Sequence, residues 1–156
     1  MLARDHLERR LGFDEVMTRD FPNLKALASL EGRDDPELIE RLLPEIFSEN
    51  SAIIGIYSAA AGNEGLLTFL DRKTLPVRPV VVAHELTQLS RNALRGGLFD
   101  AIISQDSGHL VRSAVRIMRA NCDSLPINTA QERIRIDIYL KENMPPSHEG
   151  NREDYT

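Results

Sequence analysis

The chain has 156 residues, with 42% hydrophobic and 28% charged side chains, which is the make-up of one ordinary globular domain. Lys and Arg total 19 against 24 Asp and Glu, a net charge of −5, so the field is wrong for the phosphate backbone of a nucleic acid. A single cysteine, Cys122, excludes an intrachain disulfide. No leader-like apolar run follows the charged start Arg4-Asp5-His6, and no stretch nears the roughly 18 apolar residues of a membrane span. The expectation is a cytoplasmic protein without a membrane segment.

Residues 5–19 place Leu7, Leu11, Val16 and Met17 at helical spacing among charges, with Gly12 as a weak point. Residues 25–30 form a short strand candidate. Asp35 is then placed to cap a helix that opens with Pro36 and carries Leu38, Ile39, Leu42, Leu43, Ile46 and Phe47 on one stripe. Residues 52–57 are apolar without alternation, as in a strand covered on both faces. A small-residue loop leads into a helix with Leu66, Leu67, Phe69 and Leu70. Residues 77–83 read as a second buried strand, interrupted by Pro79. Thr87 caps a helix that stops at Gly96-Gly97. Residues 99–103 form a third strand, and Asp106 or Ser107 caps the helix with Leu110, Val111, Ala114, Val115 and Met118. Residues 134–140 alternate, setting Ile134, Ile136, Ile138 and Leu140 against Arg135, Asp137 and Tyr139, as in an edge strand covered on one side. The order predicts an α/β fold, a doubly wound and mostly parallel sheet, spanning residues 1–140, with residues 141–156 as a tail without apolar period.

In such a sheet ligands bind beyond the carboxyl ends of the strands. The loops there carry Asp34, Glu85, Gln105 and Asp106. Asp34 and Asp106 can equally be helix caps, whereas Glu85 precedes the better cap, Thr87, and has no local task. Gly62 and Gly65 invite comparison with a dinucleotide loop, but no Gly-x-Gly-x-x-Gly and no Walker lysine is present. Asp106, His109, His84 and Glu85 form a weak metal motif, and His84-Glu85 make a poor acid/base pair because neighbours on a strand point to opposite faces. Cys122 lies at a helix end away from the rim. No enzyme, metal or cofactor is expected.

At these loops the chain resembles the lac repressor family and the related sugar-binding proteins of bacterial transport. The likeness runs through Glu8-Arg9-Arg10-Leu11-Gly12-Phe13, Glu31-Gly32, residues 53–70, Val82-Ala83-His84-Glu85 and Gln105-Asp106. It implies the C-terminal lobe of a periplasmic-binding-protein-like fold, binding a small effector, commonly a sugar. Arg9 then matches an arginine that grips hydroxyls, Glu85 an aspartate that contacts the ligand, and Gln105 and Asp106 a pair at the crossover between lobes. Ala59-Ala60 depart from the family's Asn-Asp, with Asn63 a turn later, and Asp34 stands where a tryptophan can stack on the sugar. A more polar effector than a simple galactoside is expected.

The resemblance also implies a regulator whose DNA contact comes through a helix-turn-helix absent from this chain, with a transport-type solute receptor as the alternative. It places a homodimer contact at the helices after Gly65 and after Thr87. The wide apolar arc Leu66, Leu67, Phe69 and Leu70 agrees with that contact. The helix from Ser107 is expected to expose apolar residues or to pair with a partner.

Overall fold

The computed structural model describes residues 4–33, 35–59, 62–72 and 75–146. The elements are α1 (Arg4–Asp20), α2 (Pro36–Glu49), β1 (Gly55–Ser58), α3 (Asn63–Arg72), β2 (Val80–His84), α4 (Gln88–Gly96), β3 (Ala101–Gln105), α5 (Ser107–Cys122) and β4 (Ile136–Tyr139). They form a four-stranded sheet of order β1-β2-β3-β4, parallel except for the antiparallel edge strand β4. The α/β, mostly parallel architecture is the expected one. The three parallel strands end together, so the rim beyond Ser58, His84 and Gln105 is where loops converge.

Local chemistry explains the helix ends. The Asp35 carboxylate accepts from the amides of Glu37 and Leu38, and Pro36 needs no partner for a missing N–H. Thr87 and Ser90 form a reciprocal capping box at α4, and Gly97, at φ 77°, turns the chain out of that helix. The turn also sets where β3 starts. The amide of Phe99 is held by the Ala93 carbonyl, so the ladder begins at Ala101 and not at residue 99. β2 likewise starts after Pro79, which cannot donate.

Register separates the two faces of the sheet. Val81, Ala83 and Ile102 share one face and are fully buried against Leu66, Phe69, Ala93, Leu94 and Phe99. Phe47 of α2 meets Phe69 of α3 at a ring separation of 5.0 Å. The other face carries Tyr57, Val82 and His84, and there α1 lays Phe13 on Tyr57 at 4.9 Å. Coverage of that face is partial, since Val80 is 55% exposed. The expectation of strands buried on both sides is therefore corrected for β2.

Further expectations are revised. Residues 25–30 are not a strand: no ladder bond forms along them, and Leu24 and Leu27 face solvent while Leu30 reaches the core. β4 alternates as expected, but its covered side is that of Tyr139, leaving Ile136 and Ile138 exposed. Of the arc on α3, Leu66 and Phe69 are buried in the chain's own core, while Leu67 and Leu70 are partly buried against it. Beyond β4, Met144 packs on the core and the Pro145 carbonyl accepts from Arg91, so order continues past residue 141.

The helix α5 behaves as expected of one without a neighbour: Leu110, Val111, Val115 and Met118 are all exposed. It is fastened instead to the return segment. Glu132 accepts from the Ser113 hydroxyl at 2.5 Å and from both arms of the Arg116 fork at 2.8 and 2.7 Å. No helix among the described residues is long and apolar enough to cross a membrane.

α2 and α3 approach closely at Gly65, where an added Cβ would overlap the Pro36 carbonyl oxygen. Gly65→Ala should lower the unfolding free energy by about 1–3 kcal/mol, read from urea denaturation. Gly12 has nothing within 4 Å of such a Cβ, and Gly12→Ala should raise stability by about 0.5–1 kcal/mol in the same experiment. Equal effects of the two substitutions would contradict this packing.

Candidate ligand-binding site

Arg9 stands on the inner face of α1, over the rim, with a side chain only 15% exposed. Its Nη1 donates to the Ala59 carbonyl just beyond β1 at 2.9 Å, and its Nη2 donates to Oε1 of Glu85 just beyond β2 at 2.9 Å. Asp5, one helical turn earlier, lies 3.9 Å from the same nitrogen. The second oxygen of Glu85 accepts at longer range from the Ser104 hydroxyl, 3.3 Å, and the Gln105 amide, 3.4 Å. One carboxylate thus joins α1 to the ends of β2 and β3. Glu85, which has no local task by sequence, holds this long-range one.

A polar cluster lies behind the ion pair. The Tyr57 hydroxyl is 2.8 Å from Nε2 of His84, and the two rings meet edge to face at 5.5 Å. Burial first, then the nearby Arg9 charge, pushes the His84 imidazole down to about 4, so it is neutral at pH 7. Burial likewise raises the Tyr57 phenol. The His84 Nδ1 is buried and has no hydrogen-bond partner among the described residues. Asn63 braces the loop: its amide donates to the His84 carbonyl at 2.7 Å and its oxygen accepts from the Ser58 hydroxyl at 2.7 Å.

These groups border an open cavity of about 440 Å³, walled by Asp5 and Arg9 of α1, Asn63 and Glu64 at the start of α3, and His84 and Glu85 at the tip of β2. A second depression, about 290 Å³ between Met17 and Ala26, has no charged wall residue and stands apart from this chemistry.

Of the residues proposed from sequence, Arg9 and Glu85 are brought together at the rim. Gln105 lends only its backbone amide, and its side chain is not on the cavity wall. Asp106 takes the cap role: it accepts from the His109 amide at 2.8 Å, sits 3.7 Å from Arg112, and is not on the wall either. That amide bond holds its carboxyl below the usual range. Asp34 lies outside the described residues. Among the described residues no three His, Cys, Asp or Glu side chains gather as a metal would require.

Asp5, His6 and Glu64 were absent from the sequence-based site, yet a signal existed for two of them. Asp5 and His6 precede Arg9 by four and three residues, which places them on one face of α1.

An open, mostly parallel sheet with its loops converging beyond the strand ends is the architecture of a periplasmic-binding-protein-like lobe. The sequence matches the periplasmic binding protein domain over residues 1–124, and the chain belongs to that family. Among solved structures it is similar to an ABC transporter solute-binding protein from Agrobacterium vitis bound with α-D-tagatopyranose. The TM-score is 0.76 and identity 20%, over 88% of this chain and 46% of that one. A sugar-binding protein of a sugar ABC transporter from Bacillus halodurans gives 0.77 and 17%, over 90% and 53%. An arabinose-binding protein from Geobacillus stearothermophilus gives 0.73 and 16%, over 90% and 51%. The chain spans about half the length of these proteins. No curated protein matches it by sequence.

His84 sets a pH dependence. Its folded pKa is depressed from 6.5 to about 4, so the unfolded chain binds the proton more readily. Stability from this group is complete above pH 6.5 and is lost as pH falls toward about 4. Glu132, held down to about 2 by the Arg116 fork, loses its contribution only below the ordinary carboxylate range. Urea midpoints should therefore fall between pH 7 and pH 5, and fall less in His84→Gln. An identical slope in that variant would show that His84 does not cause the fall.

Proposed function

We propose that this chain is a sugar-binding lobe of a transport-type solute receptor, holding a polyhydroxylated ligand against Arg9 and Glu85. The observation that carries the reading is the Arg9–Glu85 pair, set at the converging ends of parallel strands and bordering a cavity of about 440 Å³. Arg presents a planar fork for adjacent hydroxyl oxygens, and a carboxylate accepts the hydrogens of hydroxyls. The likeness to sugar receptors supports the ligand class.

The lac repressor-type reading uses the same lobe and the same cleft. What distinguishes a transport receptor from a regulator is the protein attached to the lobe, and the expectation of a cytoplasmic protein goes with the regulator. The solved structures similar to this chain favour the transport reading. A two-fold contact through α3 forms no part of the proposal, since Leu66 and Phe69 face inward.

The role is binding, not turnover. Arg9 and Glu85 neutralise each other, and His84, held neutral beside Tyr57, is a hydrogen-bonding group of the wall. Replacing Arg9 or Glu85 by Ala removes a charge-assisted hydrogen bond to the sugar. Each should weaken binding by about 1.5–3 kcal/mol in titrations with neutral pentoses and hexoses. Thermal melts of both variants would first establish that they fold. Unchanged affinity in both would remove the site from this cleft.

A further inference from the structure

The cavity at the rim is larger, and chemically more divided, than one sugar ring requires. It lies astride the end of the sheet. Asp5 and Arg9 wall it from α1, on the face that carries Tyr57 and His84. Pro36, Glu64 and Leu89 wall it from the first turns of α2, α3 and α4, and α3 and α4 pack on the opposite face. The space between these groups is about 440 Å³. A bound ligand is packed about as densely as an organic crystal, in which a hexose takes about 190 Å³ and a disaccharide about 360 Å³. One hexose therefore leaves more than half of the cavity to water, whereas two joined rings occupy most of it.

The far wall supplies the second observation. Leu89 is 42% exposed there, although the same helix buries Ala93 and Leu94 in the core, and Leu89 takes no part in that core. The Thr87–Ser90 capping box fixes the turn on which it stands. Pro36 adds apolar surface, and Glu64, exposed in the first turn of α3, adds an acceptor. Apolar surface beside a single acceptor suits the C–H face of a pyranose and the hydroxyls at its edge. The near wall works differently, since Arg9 and Glu85 offer charge-assisted hydrogen bonds and no apolar surface. The two ends of the cavity are therefore distinct subsites.

Resting on the sugar-binding reading above, we propose that the cleft is built for a disaccharide. Arg9 and Glu85 hold one ring, and the second lies on Leu89 with its hydroxyls toward Glu64.

The test is a two-dimensional amide NMR titration of the 156-residue chain. The probes are glucose with maltose and cellobiose, and galactose with melibiose and lactose. At least one disaccharide should bind about tenfold more tightly than either hexose, the worth of one or two hydrogen bonds and part of a leucine side chain. A third unit added to that disaccharide should change affinity less than about twofold, because two rings already fill the cavity. In Leu89→Ala/Glu64→Gln, with amide dispersion showing the fold intact, the ratio of disaccharide to hexose affinity should fall toward one. Disaccharides that bind no more tightly than the hexoses, a third unit that adds as much as the second, or a ratio unchanged in the double variant would each overturn the inference. In those outcomes the sugar-binding reading itself stands. If no sugar gives a saturable shift, that reading falls and the inference with it.

Discussion

The Arg9–Glu85 pair is the contact on which this lobe's working end depends. It joins residues 76 positions apart, and through the second oxygen of Glu85 and the Ala59 carbonyl it reaches the ends of all three parallel strands. Backbone groups at such ends lie beyond the ladder and lack regular partners. A fork on one side and a carboxylate on the other supply them here. The resulting rim is polar, braced and concave, which is what a hydroxylated ligand requires. Charge-assisted bonds are suited to this position because the guanidinium is largely shielded from water while its partner remains half in it.

The rest of the molecule is asymmetric around that rim. One sheet face is a dry core built on Val81, Ala83 and Ile102, whereas the opposite face is only partly covered and α5 shows solvent an apolar stripe. Polar bonds do locally what packing does not. Glu132 ties the segment that returns to β4 onto α5 through Ser113 and Arg116, so the edge strand is positioned by an ion-paired clamp.

What the sequence reveals about this fold follows the range of the interactions. Caps at Asp35, Thr87 and Asp106 and the stop at Gly97 are legible because each joins residues within a single turn. Strand existence is legible from apolar runs, but strand limits depend on neighbours. The Phe99 amide, taken by Ala93, moves β3 two residues onward. Alternation in β4 shows two faces without showing which meets the core, and Tyr139, not the isoleucines, is the inward side. At the site, Arg9 and Glu85 are readable from hydroxyl-binding chemistry and the family resemblance. Asp5 follows from Arg9 by helical spacing, whereas Glu64 requires knowing that α1 lies across the rim from α3, a tertiary fact. Asp106 is the converse case, a residue whose local cap explains it fully.

α1 buries no residue completely and is attached mainly by Arg9 and by the Phe13 ring on Tyr57. Arg9 and Asp5 stand on this helix, so a state in which it lifted from the sheet would lose both from the cleft wall. In an ensemble containing such a state, apparent affinity would be the intrinsic affinity scaled by the docked fraction. A ligand that touches both Arg9 and Glu85 binds only the docked state and draws the ensemble toward it. Recognition at the rim and attachment of the first helix are then one equilibrium, and amide protection along α1 would register the ligand at residues that never touch it.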